Sequence, residues 1–318
     1  MMGILLVDDL RRLLLAIYEG LSGQMEIDYT RSVFLSVLGI FVGGIPFVML
    51  TYGMLRNRYR YQIFREIVKI DHLPEALDGF RIVQISDIHS GSFTVKEPLE
   101  MAIQMINEQK ADLVFFTGDL VNSVASEVAE FIDVFDQIKA KHGVFSILGN
   151  HDYGDYVRWN SPEDKKANFE QMLAAHRKMG WDLMLNEHRI VDVNGAQVAV
   201  IGVENYSAHP RFPKYGDLAK AHKGTESAAL KLLLSHDPTH WKDEVVKHFG
   251  DIDITFSGHT HGMQFGFEIP GCFKWSPVKY VYKQWAGLYQ EGKQFLYVNR
   301  GFGFLGYPGR VGILPEIT

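Results

Sequence analysis

The sequence has one cysteine, Cys272, in 318 residues. No internal disulfide can form, so nothing about redox compartment follows from bridge spacing, and the lone thiol is expected to pack rather than react. There is no surplus of positive charge either: the formal net charge is −6. Nonspecific nucleic-acid binding depends on neutralising phosphates, so a nucleic-acid partner is not expected. Glycine and proline are not in excess, and there is no internal repeat or low-complexity tract. Hydrophobic residues make up 47% of the chain, which excludes global disorder and allows a sizeable core.

Charge is locally absent from Ser32 to Leu55, a run of 24 residues. As a helix this run reaches roughly 36 Å, longer than the roughly 30 Å hydrocarbon core of a bilayer. A soluble helix of that length normally keeps a polar face, so a transmembrane helix is expected over about 32–55. Arg31 precedes the run, and Arg56, Arg58, Arg60 and Arg65 follow it. The excess of arginine after the run places the C-terminal part in the cytoplasm, at a bacterial-type inner or cell membrane. Upstream, Met2–Val7 reads either as the tail of an earlier span or as part of an amphipathic surface segment. Residues 1–61 are therefore expected as a membrane segment, 62–79 as a linker and 80–318 as the main domain.

Beyond Asp71 short apolar runs alternate with helical spacing. Phe80–Ser86, Asp112–Thr117 and Val144–Leu148 read as strands, with helices over Glu97–Gln109 and Glu127–Lys139 between them. Residues 152–180 are polar, then helical. His188–Val193 and Gln197–Val203 flank Asn194-Gly195, a hairpin signal. Leu230–Leu234 and Ile252–Phe256 are further strands, and 265–298 reads as loop with short strands. The order implies an α/β sheet whose functional loops gather beyond the carboxyl ends of its strands.

Those strand ends carry the chemistry. They read Ser86-Asp87-Ile88-His89, Thr117-Gly118-Asp119, Gly149-Asn150-His151-Asp152, Ser235-His236-Asp237 and Gly258-His259-Thr260-His261. Each alone is an ordinary polar turn. Five in one domain, all rich in carboxylate, amide or imidazole and without thiol, suit Mn, Fe or Zn rather than a structural cysteine site. Seven groups are too many for one ion and fit two sharing a bridging carboxylate. Such a pair, about 3.5–4 Å apart, generates a nucleophile at neutral pH and clamps the oxygens of an in-line displacement.

In that order, Asp87-x-His89, Gly118-Asp119, Gly149-Asn150-His151-Asp152, His236 and Gly258-His259-x-His261 resemble the calcineurin-like metallophosphoesterases over roughly residues 80–318. The resemblance implies a four-layer α/β/β/α sandwich. It implies two divalent or trivalent metal ions, one held by Asp87, His89 and His261, the other by Asn150, His236 and His259, with Asp119 between them. A metal-bound hydroxide would attack phosphorus. His151 would contact the phosphoryl oxygen or protonate the leaving oxygen, with Asp152 orienting it. Where many members have a second aspartate after Gly-Asp-x-x, this chain has Asn122, which puts tuning rather than metal binding in doubt. Pro315-Glu316-Ile317-Thr318 resembles the start of the family's last strand, so the chain is expected to end short.

Arg300, Lys279 and Trp285 are candidate substrate contacts; the bland reading of 274–285 is a loop packed on the sheet. His72, His142, His176, His188, His209, His222, His240 and His248 are expected as surface or packing residues. The substrate is expected to be a phosphorylated small molecule or a lipid-linked phosphate or pyrophosphate; some bacterial relatives cleave a nucleotide-linked diacylglucosamine. A metal-dependent nuclease or nucleotide phosphodiesterase, and a non-catalytic scaffold of the same fold, are the alternatives.

Overall fold

The computed structural model describes residues 2–22, 29–269 and 272–318 and divides into two units, Met1–Leu55 and Arg56–Thr318. The first unit contains α1 (Met2–Ser22) and α2 (Tyr29–Leu55). Val33–Leu55 is long and apolar enough to cross a membrane, and almost none of it is buried. It is the one helix among the described residues that meets this test. Pro46 lies inside it; such breakers are tolerated in membrane helices.

The second unit runs β1 (Gln62–Ile63), β2 (Ile82–Ile85), α3 (Glu97–Glu108), β3 (Leu113–Phe116), α4 (Ile132–Phe135), β4 (Val144–Ser146), α5 (Pro162–Lys178), β5 (Asp182–Leu183), β6 (Glu187–Val193), β7 (Ala196–Gly202), α6 (Leu218–His222), β8 (Leu230–Leu234), α7 (Val246–His248), β9 (Ile254–Ser257), β10 (Phe267–Ile269), β11 (Phe273–Trp275), β12 (Gly287–Glu291), β13 (Gln294–Val298) and β14 (Glu316–Ile317). One sheet is parallel, in order β2-β3-β4-β5. The other, β12-β13-β9-β8-β7-β6, is parallel from β13 to β7 and antiparallel at both edges.

Alternate side chains on a strand point to opposite faces, and here both faces are covered. In β3, Leu113 and Phe115 join the core between the sheets with Val198, Leu232 and Phe256. Val114 and Phe116 pack outward with Leu99 and Ile103 of α3 and Met172 of α5. Across the second sheet, Ala199, Ile201 and Leu233 meet Leu218, Trp241 and Val245. The layers are therefore α/β/β/α, as expected. Each buried Phe or Leu contributes roughly 1.5–3 kcal/mol over an exposed one, so the apolar runs, not local propensity, fix the sheets. At the hairpin, Asn194 and Gly195 both have positive φ, 53° and 86°, the backbone that a two-residue turn between twisted strands requires.

Three expectations change. The helix read over Glu127–Lys139 is a 3₁₀ stretch, Ala125–Phe131, followed by the single turn of α4. Ala125, Val128 and Phe131 are its buried residues; strict spacing by three matches 3.0 residues per turn. Glu127 accepts the N–H groups of Asn122, Ser123 and Val124 and ties down its start. The stretch 62–79 is no free linker: β1 pairs with β14, Tyr61 packs on Phe302, and Leu77 is buried between the sheets. Beside β14, Thr318 exchanges two backbone hydrogen bonds with Gln84. Cys272 is exposed rather than packed. Within 265–298, Pro270 and Gly271 lie outside the described residues.

Candidate metal centre

Strands β2, β3, β4, β8 and β9 end at one edge of the sandwich, and their following residues converge there. Five of the seven candidate ligands have left-handed backbone: Asp87 (φ 53°), His89 (49°), Asp119 (61°), His259 (70°) and His261 (50°). Non-glycine residues adopt this conformation rarely, and such strain concentrates at functional sites. Two glycines let the strand ends meet. A Cβ on Gly258 would collide with Ser86 and the Asp87 carboxylate, and one on Gly149 with the Asp119 carboxylate.

Two groups of ligand atoms result, each within 4.8 Å of one another: Asp87, His89 and His261, and Asp119, His236 and His259. In the first, His261 Nε2 lies 3.3 Å from Asp87 Oδ1 and 3.0 Å from His89 Nε2. In the second, His236 Nε2 lies 3.2 Å from Asp119 Oδ2 and from His259 Nδ1. Asp119 Oδ2 is also 3.6 Å from His89 Nε2, so this carboxylate joins the two groups.

The imidazoles are aimed by backbone. His89 Nδ1 donates to Val121 O at 3.1 Å, and His236 Nδ1 to Thr117 O at 2.7 Å. A carbonyl only accepts, so Nδ1 holds the proton and Nε2 turns its lone pair to the centre, the arrangement of metal-ligating histidines. His259 is turned the other way. Its Nε2 meets the Tyr282 hydroxyl at 2.8 Å and Nδ1 faces the site. The buried Asn150 Oδ1 has no hydrogen-bond partner, while Asn150 Nδ2 donates to Tyr156 OH at 2.9 Å. An orphaned buried acceptor is costly unless something absent from the chain satisfies it.

Burial drives His89 down to about 3 and His259 down to about 4, so both rings are neutral, the form that binds metals. Burial, reinforced by Asp119, raises Asp87 to about 6. Burial would also raise Asp119, but His236, with His151 and His89, holds it well below the usual carboxylate range. Burial opposes protonation of His236, yet Asp119 raises it to about 10. Proton and metal thus compete for the His236 Nε2 lone pair, and a cation in the centre would compensate the two acids in place of that proton. The donor set, the lone-pair directions and the orphaned Asn150 oxygen fit two metal ions.

The family model for "Calcineurin-like phosphoesterase" matches residues 80–263. The chain belongs to the calcineurin-like phosphoesterase family. A second model, "Probable Calcineurin-like phosphoesterase, transmembrane domain", matches residues 1–58. Among relatives of this phosphoesterase, a "Transmembrane protein with metallophosphoesterase domain" of Danio rerio is 29% identical over 86% of this chain and 60% of its own length. The "Uncharacterized metallophosphoesterase YkuE" of Bacillus subtilis is 29% identical over 79% of this chain and 82% of its own. The "UDP-2,3-diacylglucosamine pyrophosphatase LpxG" of Chlamydia trachomatis is 27% identical over 71% and 79%. The match thus spans 60% of the Danio relative, a little under two thirds, and most of the two bacterial ones.

Other residues that the sequence singled out in this phosphoesterase fall differently. The carboxylate of Asp152 does not reach the His151 ring; it accepts the backbone N–H groups of Asp119, Leu120, Val121 and Gly149. His151 is oriented by Asn122, whose carbonyl accepts from Nδ1 at 2.6 Å. Arg300 is 3% exposed, bound by Glu316 at 2.6 Å and by Glu268 at 2.5 Å, and so unavailable to a phosphate. Trp285 is buried under the histidine loop, its carbonyl accepting from Thr260 Oγ1. Lys279 is exposed on a 3₁₀ turn.

Sequence reading missed Tyr156, Arg211 and Arg310, and included Tyr282 only as part of the aromatic and basic run 274–285, without a role of its own. Tyr156 packs against His151 with its ring tilted by 39° and the ring centroids 4.6 Å apart. The Phe212 ring meets His259 edge-on at 4.8 Å, and the exposed Arg211 lies 5.9 Å from the Phe212 ring. Its charge acts on both Tyr156 and Tyr282. Arg310 is fully buried; it donates to the carbonyls of Arg300, Gly301 and Gly303, with Nη2 3.4 Å from His261 Nδ1. None lies within a motif, so only the His-Pro-Arg-Phe-Pro run at 209–213 offered a hint, as a stiff loop carrying a cation.

Proposed function

We propose that this chain is a membrane-attached, metal-dependent hydrolase of phosphoester or pyrophosphate bonds. The observation that carries this reading is a pair of ligand groups joined through the Asp119 carboxylate, together with a buried Asn150 oxygen that has no partner. Asp87, His89 and His261 would hold one ion; Asn150, His236 and His259 the other, with Asp119 shared. Two such ions supply a nucleophile at neutral pH and charge that screens the phosphoryl oxygens.

The chain's own groups do the rest. Tyr156 takes the Asn150 amide N–H, which keeps Oδ1 turned inward. Tyr282 fixes the His259 ring, so that Nδ1 faces the ions. His151 donates from Nδ1 to Asn122, leaving Nε2 to hold a proton. Protonated, it gives that proton to the leaving oxygen; neutral, it accepts one. No nucleophilic side chain is needed, so no covalent intermediate forms on the protein.

The substrate reading is a lipid-linked phosphate or pyrophosphate, handled on the cytoplasmic face. It is supported by the match to a transmembrane domain, the apolar helix α2, the arginines that follow it and the activity in the name of the Chlamydia relative. The test is hydrolysis of p-nitrophenyl and bis-p-nitrophenyl phosphate, a lipid phosphate and UDP-2,3-diacylglucosamine, after chelation and readdition of Mn²⁺, Fe²⁺ or Zn²⁺. Asp119→Ala and His259→Ala should each cost more than about 100-fold, beyond the usual effect of disturbing an outer partner. Metal-replete protein inactive on every phosphoester would sink the hydrolase reading. Cleavage of nucleic acid alone would replace the substrate.

A further inference from the structure

Directly after the histidine loop, β10 and β11 form a hairpin whose sides are reversed. Phe267 pairs with Trp275, Glu268 with Lys274 and Ile269 with Phe273. Cross-strand partners share a face, so Phe267, Ile269, Phe273 and Trp275 lie on one side, Glu268 and Lys274 on the other. The polar side faces the protein: Glu268 pairs with the buried Arg300, and Lys274 donates to the Ala286 carbonyl beneath Tyr289. The apolar side faces out, with Phe267 53% exposed, Ile269 62% and Phe273 56%. Met263 and Tyr280, 57% and 75% exposed, stand on the two 3₁₀ turns that precede and follow the hairpin.

Single exposed apolar residues need no explanation, but a contiguous aromatic patch does. Its charge names the partner. Residues 263–283 carry Lys274, Lys279 and Lys283 against Glu268 alone, and that carboxylate is neutralised by Arg300. Lys279 and Lys283 are exposed, and the Lys279 ammonium lies 5.4 Å from the Tyr280 ring. An aromatic and aliphatic face accompanied by exposed lysines is the chemistry of an interfacial membrane contact, the rings entering the headgroup boundary and the ammoniums meeting anionic lipid. The unit also begins at Arg56, directly after the last residue of α2.

We propose that the β10–β11 hairpin docks into the surface of an anionic bilayer, a membrane contact separate from α2. The hairpin touches the histidine loop: Ser276 Oγ donates to the Gly262 carbonyl at 2.7 Å. Docking therefore brings the lipid surface beside the metal centre. The inference rests on the membrane attachment proposed above and not on which bond is cleaved.

Cys272 adjoins β11, is exposed, and is the one cysteine of the chain, so a nitroxide attached there reports on the hairpin without further substitution. The full chain is reconstituted into phosphatidylcholine–phosphatidylglycerol vesicles, and flotation reports the α2 anchor separately. The expected result is a label more accessible to oxygen than to a water-soluble nickel chelate. That shielding is lost in Phe267→Ser/Phe273→Ser and reduced in Lys279→Glu/Lys283→Glu, or when phosphatidylglycerol is omitted. Melting curves check that both variants stay folded. A floating wild-type protein whose Cys272 label is open to the nickel chelate overturns the proposal. Shielding from both reagents with spin–spin broadening also overturns it, since a second copy then covers the hairpin.

Discussion

Asp152 Oδ2 accepts the backbone N–H of Asp119 at 2.9 Å. The bridging candidate is thus positioned through its backbone by a buried acid belonging to a different strand end. The same carboxylate takes Leu120, Val121 and Gly149, so it ties the loops after β3 and β4 together.

Asp152→Asn places an amide N–H₂ against backbone donors. It should destabilise the protein by about 1–3 kcal/mol and lower metal content at fixed free metal. Melting curves and elemental analysis measure both. An unchanged melt with only a shifted pH–rate limb would mean that Asp152 acts on His151 after all.

Tyr156→Phe removes the partner of the Asn150 amide and leaves that side chain free to flip. Affinity for one of the two metals should fall about 10-fold, read by competition with a chromophoric chelator. Equal loss at both sites would contradict the assignment of Asn150 to a single ion.

Arg300→Met leaves Glu316 and Glu268 without their cation. Breaking a buried pair from one side costs about 3–5 kcal/mol, so chemical denaturation should show a large loss of stability. Trp285→Ala should cost about as much through the cavity it leaves, about 3–5 kcal/mol. Lys279→Ala, on the surface, should stay within about 0.5 kcal/mol of the parent. A stable Arg300→Met with a raised KM would restore Arg300 as a substrate contact.

Arg211→Ala should raise KM for substrates with a second anionic group more than for a simple monoester, because this exposed cation stands by Phe212, whose ring meets His259. The difference should shrink at high salt, which screens an exposed charge. Equal KM changes for both substrates would exclude the role.

His176 lies outside the metal centre, fully buried against Phe116 and Trp181, with Nδ1 3.0 Å from Ser146 Oγ. Burial lowers it to about 3. The unfolded chain binds this proton near pH 6.5 and the native chain does not, so stability is fully present above about 6.5 and falls as pH drops toward 3. His176→Leu should gain on the parent by about 1.4 kcal/mol per pH unit across that window. Denaturant midpoints at pH 7, 6 and 5 test it; parallel curves would show that His176 contributes nothing to acid lability.

Much of the fold was legible because buried strands announce themselves: Leu113–Phe116 is a continuous apolar run, Leu230–Leu234 is broken only by Lys231, and both became central strands. Residues 125–135 were not, since spacing by three fits a long amphipathic helix and a 3₁₀ turn alike. The reversed hairpin at 267–275 was also hidden, because alternation does not say which side faces the protein.

By itself, the sequence determined the ligand candidates, their placement after apolar strands and the separation of an apolar N-terminal helix from an α/β domain. Residue chemistry and periodicity are local, and a single chain displays them. Tertiary structure alone decided what each polar group does. Asp152 serves backbone amides, Arg300 is consumed by two carboxylates, and Asn150 keeps a buried oxygen without a partner. Partners are set by which strand ends the two sheets bring together, across separations such as the 33 residues between Asp119 and Asp152 and the 172 between His89 and His261, which no local pattern encodes.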